Sequence, residues 1–223
     1  MNRKTKKATT RPNIPSEIKK LVSQATFTFR TKKNGNGQCV LIGGGLVITA
    51  AHCLDWNCTG MMAMGEYCLE RIATARGDVI AYTMAVEPVS DTAILGCPDD
   101  QDLSAQAEVF DAFRERITPL RLHLRPLIPF KPFPVWIRTH LKTWIPATAT
   151  YYRSNAQFSY RTTSKVVGGT SGGPIVNRGG ELVGIVSHST ERPVGGEYCA
   201  AAPLLSLALP AWVLRGATTR KSK

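Results

Sequence analysis

The sequence predicts an all-β protein of the sandwich or barrel type on three observations. Short runs of β-branched and aromatic residues recur along the chain, glycine-rich turns separate them, and little of the rest reads as helix. The 223 residues fit one large domain or two small barrels, long enough to bury a sizeable core. With 43% hydrophobic and 20% charged residues, the composition is that of an ordinary soluble globular protein.

Taken in order, residues 25–30 alternate as a half-buried strand does, and Lys32 to Gly37 is a strong turn. Residues 39–42 and 46–49, joined by Gly43-Gly44-Gly45, read as a tight hairpin whose second strand runs into Ala50-Ala51-His52-Cys53. Further short strands are predicted over 67–73, 79–85 and 92–95. From Asp99 to Glu115 six acids sit among alanines and glutamines, which predicts an exposed, partly helical connector between two halves. Strand alternation returns at 120–125, 135–140, 148–152 and 158–162, and prolines at 126, 129, 132, 134 and 146 suit the edges and loops of a barrel. After Gly179-Gly180, a hairpin turn, come strands over 182–188 and 198–202. A terminal helix over 204–214 is expected to bend or restart at Pro210.

The net charge of +12 is concentrated at the ends. Residues 1–20 hold seven bases and one acid, and residues 215–223 hold four bases and no acid, so the body is nearly neutral. Such tails are solvated, disordered ends or contacts for nucleic acid or another anionic surface. No secretory apolar run follows Met1, and Cys199 to Leu214 is too short and too proline-rich for a membrane span, so a cytoplasmic protein is expected. The six cysteines form no C-x-x-C, and the Cys53 to Cys58 interval is too loose for zinc, so neither a metal nor a cofactor is expected. Free buried thiols are the expectation, with Cys39 and Cys53 the one pair left open for a bridge.

The stretch that carries chemistry is Gly168-Gly169-Thr170-Ser171-Gly172-Gly173-Pro174. Glycines admit positive φ and close approach, which a nucleophilic serine needs if neighbouring amides are to converge on one point. A strand–turn–strand hairpin explains the same composition. The serine reading gains weight from His52, fixed by the small residues before it, and from Asp91, whose carboxylate enters an apolar run and so needs a partner. His123 and His140 fall on polar strand faces and are expected to face solvent.

On Thr49-Ala50-Ala51-His52-Cys53, Ser90-Asp91-Thr92-Ala93-Ile94-Leu95, Gly169 to Pro174 and Gly184-Ile185-Val186-Ser187, the chain resembles the chymotrypsin-like (trypsin-like) serine peptidases over roughly residues 22–214. The resemblance implies two six-stranded antiparallel β-barrels with a short C-terminal helix. The implied organisation is a basic arm (1–20), a barrel carrying His and Asp (21–108), a barrel carrying Ser (109–203), the helix (204–214) and a basic tail (215–223). It also implies a serine endopeptidase with His52, Asp91 and Ser171 as triad and the N–H groups of Gly169 and Ser171 as oxyanion hole. Ser187 would bond the buried aspartate, and Ser187-His188-Ser189 would pair with the backbone of a protein or peptide substrate. Thr170 stands where zymogen-activated animal enzymes carry aspartate, and the loop is closer in style to the bacterial Deg/HtrA-type and viral branches. No PDZ-sized segment follows residue 214. Lys165 and His188 suggest a preference for an acidic side chain before the cut, unless Lys165 points to solvent. The alternatives are a viral polyprotein-processing enzyme with nucleic-acid-binding tails and a non-catalytic peptide-binding module on the same fold.

Overall fold

A computed structural model describes residues 13–30, 35–54, 68–153, 155–188 and 192–218. Its first half is a closed barrel of β1 (Thr26–Arg30), β2 (Asn36–Ile42), β3 (Leu46–Thr49), β4 (Leu69–Thr74), β5 (Gly77–Glu87) and β6 (Thr92–Gly96), in the order β1-β2-β3-β6-β5-β4. All its pairings are antiparallel, including β1 to β4, which closes it and removes the sheet's edges. Phe29, Leu41, Ile48, Ile72, Ile94 and Leu95 are shut off from solvent, and since Ile94 and Leu95 are neighbours on β6 both faces of that strand are covered. Each such side chain contributes about 2 kcal/mol by leaving water.

The second half has six strands in the order β11-β10-β7-β8-β9-β12: β7 (Phe133–Arg138), β8 (Trp144–Tyr151), β9 (Gln157–Thr162), β10 (Pro174–Val176), β11 (Leu182–Ile185) and β12 (Tyr198–Pro203). Its end strands β11 and β12 approach each other without pairing, so this half is an open half-barrel where a second barrel was expected. Val135, Ile137, Ala149, Phe158, Tyr160 and Ile175 fill its interior. Trp136 on β7, Val176 and Leu182 point the other way and join the first barrel's core, so the two halves share a buried apolar seam. Period-two alternation explains this: strands covered on both faces bury both sets of side chains.

Among the described residues the α-helices are α1 (Ser16–Gln24), α2 (Ser104–Glu115), α3 (Leu205–Ala208) and α4 (Ala211–Thr218). The acid-rich connector is not simply exposed. Ala107, Phe110 and Phe113 of α2 recur on one helical face and are buried, with Phe113 edge-on to Phe27 at 4.9 Å. The expected basic arm is shorter than residues 1–20, because α1 begins at Ser16 and buries Val22. The terminal helix does restart at Pro210, and α4 runs into the segment expected as a tail. Residues 1–12 and 219–223, the outer parts of both tails, lie outside the described residues.

The alternating segment 120–125 is not a strand of either sheet. Leu120 and Leu122 are buried as the pattern requires, but the segment crosses between the halves. It makes one parallel bridge to Ile42 and another to Leu182. Pro119 and Pro126 flank it, so ladder bonding cannot extend beyond those points. Among the described residues no helix is long and apolar enough to cross a membrane.

Candidate active site

The site lies where the two halves meet, and each of its residues is placed by backbone as well as by side chain. β3 delivers Ala50 and Ala51, both buried, into a short 3-10 turn that carries His52. Asp91 follows the turn after β5 and adopts φ +54, a left-handed conformation that aspartate tolerates better than most residues. Its backbone carbonyl accepts the Ala51 N–H at 3.2 Å. One carboxylate oxygen, Oδ1, accepts the His52 backbone N–H at 2.9 Å, and the other, Oδ2, accepts His52 Nδ1–H at 2.7 Å. His52 is thus tied to one carboxylate twice, through its backbone N–H and through its ring.

Ser187, directly after the β11 segment, donates to the same Oδ2 at 2.5 Å. Its Oγ also lies 2.6 Å from His188 Nδ1. A serine hydroxyl has one proton, and here Asp91 takes it, so His188 Nδ1 must be the donor in the second bond. The four groups form one directed chain, His188 to Ser187 to Asp91, met from the other side by His52. The His52 and His188 rings stand 6.0 Å apart.

Burial opposes ionisation of Asp91, but hydrogen bonds from His52 and Ser187 outweigh it and bring its pKa below the ordinary carboxylate value. In turn Asp91, and after it a hydrogen bond with Cys53, raises the His52 pKa above its ordinary 6.5 despite burial. Cys39 and Cys53 are both buried thiols without a bridge between them, and burial pushes the Cys39 thiol far up.

The Gly-rich loop is not a hairpin. β9 ends at Thr162, β10 begins at Pro174, and the two are not neighbours in the sheet. Residues 163–173 instead form a free-standing loop folded against β2. Gly169 and Gly172 hold φ of +82° and +76°. A Cβ on Gly172 would collide with the Gln38 carbonyl oxygen and with Thr49 Oγ1. Thr170 N–H donates to Val167 O at 3.3 Å, Gly172 N–H to Val186 O at 2.7 Å and Gly173 N–H to Thr170 O at 2.8 Å. Among the described residues the Gly169 and Ser171 N–H groups have no such backbone acceptor. Ser171 is half-buried, and its carbonyl accepts the Gln38 N–H at 2.7 Å.

Of the residues singled out in sequence, His52, Asp91, Ser187 and His188 are joined by hydrogen bonds, and the Ser171 loop is pinned beside them through Val186 and Gln38. Lys165 is exposed, and Ser189 lies outside the described residues. His140 is exposed as expected, yet its Nδ1 reaches Thr170 Oγ1 at 3.2 Å. His123, expected to face solvent, is partly buried and bonds Glu181 at 2.8 Å, and among the described residues it shares no hydrogen bond with His52, Asp91 or Ser187. Sequence reasoning missed Gln38 and Arg138, two buried polar residues facing the loop. Nothing in their spacing marks them, because each occupies an ordinary strand position.

The sequence profile of the trypsin-like peptidase domain matches residues 37–185, more than half of the chain. No curated protein sequence matches. Among solved structures, the active form of the Rv3671c protease from M. tuberculosis superposes with a TM-score of 0.57 at 15% identity, covering 94% of this chain and 92% of that one. The serine endoprotease from Yersinia pestis gives 0.55 at 16% identity, covering 87% of this chain and 64% of that one. A human pathogenic astrovirus serine protease gives 0.50 at 17% identity, covering 81% and 89%. At these identities the superpositions establish a shared fold.

Proposed function

The chain belongs to the trypsin-like peptidase domain family, and from that premise we propose that it is a serine endopeptidase working through Ser171, His52 and Asp91. The observation that carries the proposal is the doubly bonded His52–Asp91 pair, with Ser187 completing the carboxylate's hydrogen bonds. Nδ1 is committed as a donor to Asp91, so in the neutral ring Nε2 is the basic nitrogen.

In the proposed reaction, Ser171 Oγ attacks the scissile carbonyl carbon while His52 Nε2 takes its proton. Asp91 stabilises the resulting imidazolium without accepting the proton itself. The tetrahedral oxyanion receives the N–H groups of Gly169 and Ser171, neither of which has a backbone acceptor among the described residues; such donors are worth about 3 kcal/mol each. Collapse breaks the C–N bond, and the imidazolium protonates the leaving amine. Water, deprotonated by the same nitrogen, then releases the acyl group. Ser171 Oγ has no side-chain partner among the described residues, and substrate binding brings it to the imidazole, since catalytic hydrogen bonds tighten in the bound complex.

The backbone after β11, from Ser187, is the proposed docking strand for the substrate, and the Tyr160 hydroxyl holds it by donating to the His188 carbonyl at 3.3 Å. For the residue before the cut we propose an acidic side chain, drawn by His188; Lys165 is exposed, the case in which the sequence gives it no part. The charge distribution supports this reading. Residues 116–203, the half that carries Ser171, contain eleven lysines and arginines against three glutamates, a net positive charge that favours an acidic substrate. A peptide-library digest tests both claims. Cleavage after Asp or Glu, absent in Ser171→Ala, is expected; cleavage only after basic or large apolar residues removes the specificity claim, and cleavage that persists in Ser171→Ala removes the mechanism.

A further inference from the structure

Arg138, at the end of β7, is 6% exposed, and among the described residues no carboxylate pairs with it. Its Nη1 donates to Gln38 Oε1 at 2.9 Å, and its Nε donates to Ser23 Oγ of α1 at 3.2 Å. Burying a cation without a counter-ion is costly, and an apolar side chain of similar size is often as stable or more so. Packing alone therefore does not account for an arginine here.

What the arginine does is orient an amide. Guanidinium is donor-only, so it fixes Oε1 of Gln38 toward itself and turns Nε2, the donor, the other way. Gln38 Nε2 then lies 3.3 Å from the Thr170 carbonyl oxygen, and also 3.3 Å from the Arg138 carbonyl oxygen. Gln38 is itself 2% exposed and Thr170 fully buried, so neither contact competes with bulk water. The Thr170 carbonyl belongs to the same planar trans peptide as the Ser171 N–H, and in such a peptide the two point in opposite directions. Holding the carbonyl inward aims the Ser171 N–H outward. From the other side His140 bonds the Thr170 hydroxyl.

We propose that Arg138 and Gln38 are positioning residues that set the direction of the Ser171 N–H, and that Ser23 makes the N-terminal helix part of this clamp. The inference rests on the serine-peptidase reading for its catalytic consequence. It also gives a physical reason why a loop with threonine before its serine needs no aspartate there. The ordering contacts come from within the fold: the Gly173 N–H on the Thr170 carbonyl at 2.8 Å, and beside it a side-chain amide held by a buried cation. α1 is held in place for this by Val22 and by Ile18, whose methyl groups pack on Gly180.

The test compares kcat, KM and thermal midpoint for wild type, Arg138→Met, Arg138→Lys and Gln38→Glu on one peptide substrate. Gln38→Glu keeps an acceptor for Arg138 but offers Thr170 no donor, so it separates the clamp from the fold. Arg138→Met and Gln38→Glu are expected to lower kcat about 10- to 100-fold with KM within about threefold and an undiminished midpoint. Arg138→Lys is expected to recover part of the loss. Kcat within threefold of wild type in either of the first two, or kcat lost only in step with stability, overturns the proposal. A catalytically silent wild type would instead defeat the peptidase reading, and hydrogen exchange then decides the clamp. Faster exchange of the Gly173 amide in Gln38→Glu supports it, and unchanged exchange overturns it.

Discussion

Ser187→Ala tests the hydrogen bond that completes the set on Asp91. The variant removes the 2.5 Å donor to Oδ2, together with the acceptor of the His188 Nδ1–H, and leaves the two bonds from His52 in place. A bond to a buried charged group contributes about 1.5–3 kcal/mol, which in a protein of this size is a fall of roughly 3–10 °C in thermal midpoint at neutral pH. The sign of its pH dependence follows from Asp91, whose folded pKa is depressed. Stability from the carboxylate is fully present above its unfolded value of about 3.9 and is lost as pH falls through the lower folded value. The penalty of Ser187→Ala is therefore largest near pH 7 and shrinks toward pH 2. Kcat is expected to fall about tenfold, as a less stabilised carboxylate supports the imidazolium less well. Calorimetry at several pH values and peptide hydrolysis at neutral pH read both effects. A penalty that is equal at pH 7 and pH 2, or absent at both, refutes the reasoning.

Asp91→Asn keeps the shape of the side chain but removes its charge, and is expected to cost about 10³- to 10⁴-fold in kcat, measured on the same substrate. In wild type, kcat/KM should rise with pH through a midpoint above 6.5, since hydrogen bonding to Asp91 raises the His52 pKa and only the neutral ring is a base; a midpoint at or below 6.5 would contradict the pairing. The stability contribution of His52 runs opposite to that of Asp91. It is present below pH 6.5 and lost as pH rises through the raised folded value, which titration of wild type against His52→Ala by chemical denaturation measures. Gly172→Ala adds a Cβ at positive φ against the Gln38 carbonyl, so a loss of at least about 1–2 kcal/mol in denaturant unfolding is expected, with activity falling as the loop shifts.

The strands of the first half were legible from two patterns. Residues 26–30 alternate as a half-buried strand does, whereas 39–42, 46–49 and 92–95 are continuous apolar runs bounded by turns, because β2, β3 and β6 are buried on both faces. Residues 120–125 kept the alternation but not the pairing, since period two reports burial and says nothing about which carbonyls a segment can reach. α2 was half-read: its acids dominated the composition, while Phe110 and Phe113 at helical spacing carried its packing. The triad candidates could be found because their chemistry demands particular residue types in particular settings. Gln38 and Arg138 could not, since a polar side chain on a strand is ordinarily solvent-facing. Only the crossing of β2 under the loop and the approach of β7 bury them. His140 shows the same limit, for it is exposed and yet bonded to Thr170.

The claim that Ser171 is an activated nucleophile is tested most directly by fluorophosphonate labelling followed by mapping of the modified residue. The account predicts stoichiometric label on Ser171 in wild type, none in Ser171→Ala, and strongly slowed labelling in His52→Ala. Label absent from the folded wild type, or label that survives Ser171→Ala, contradicts it.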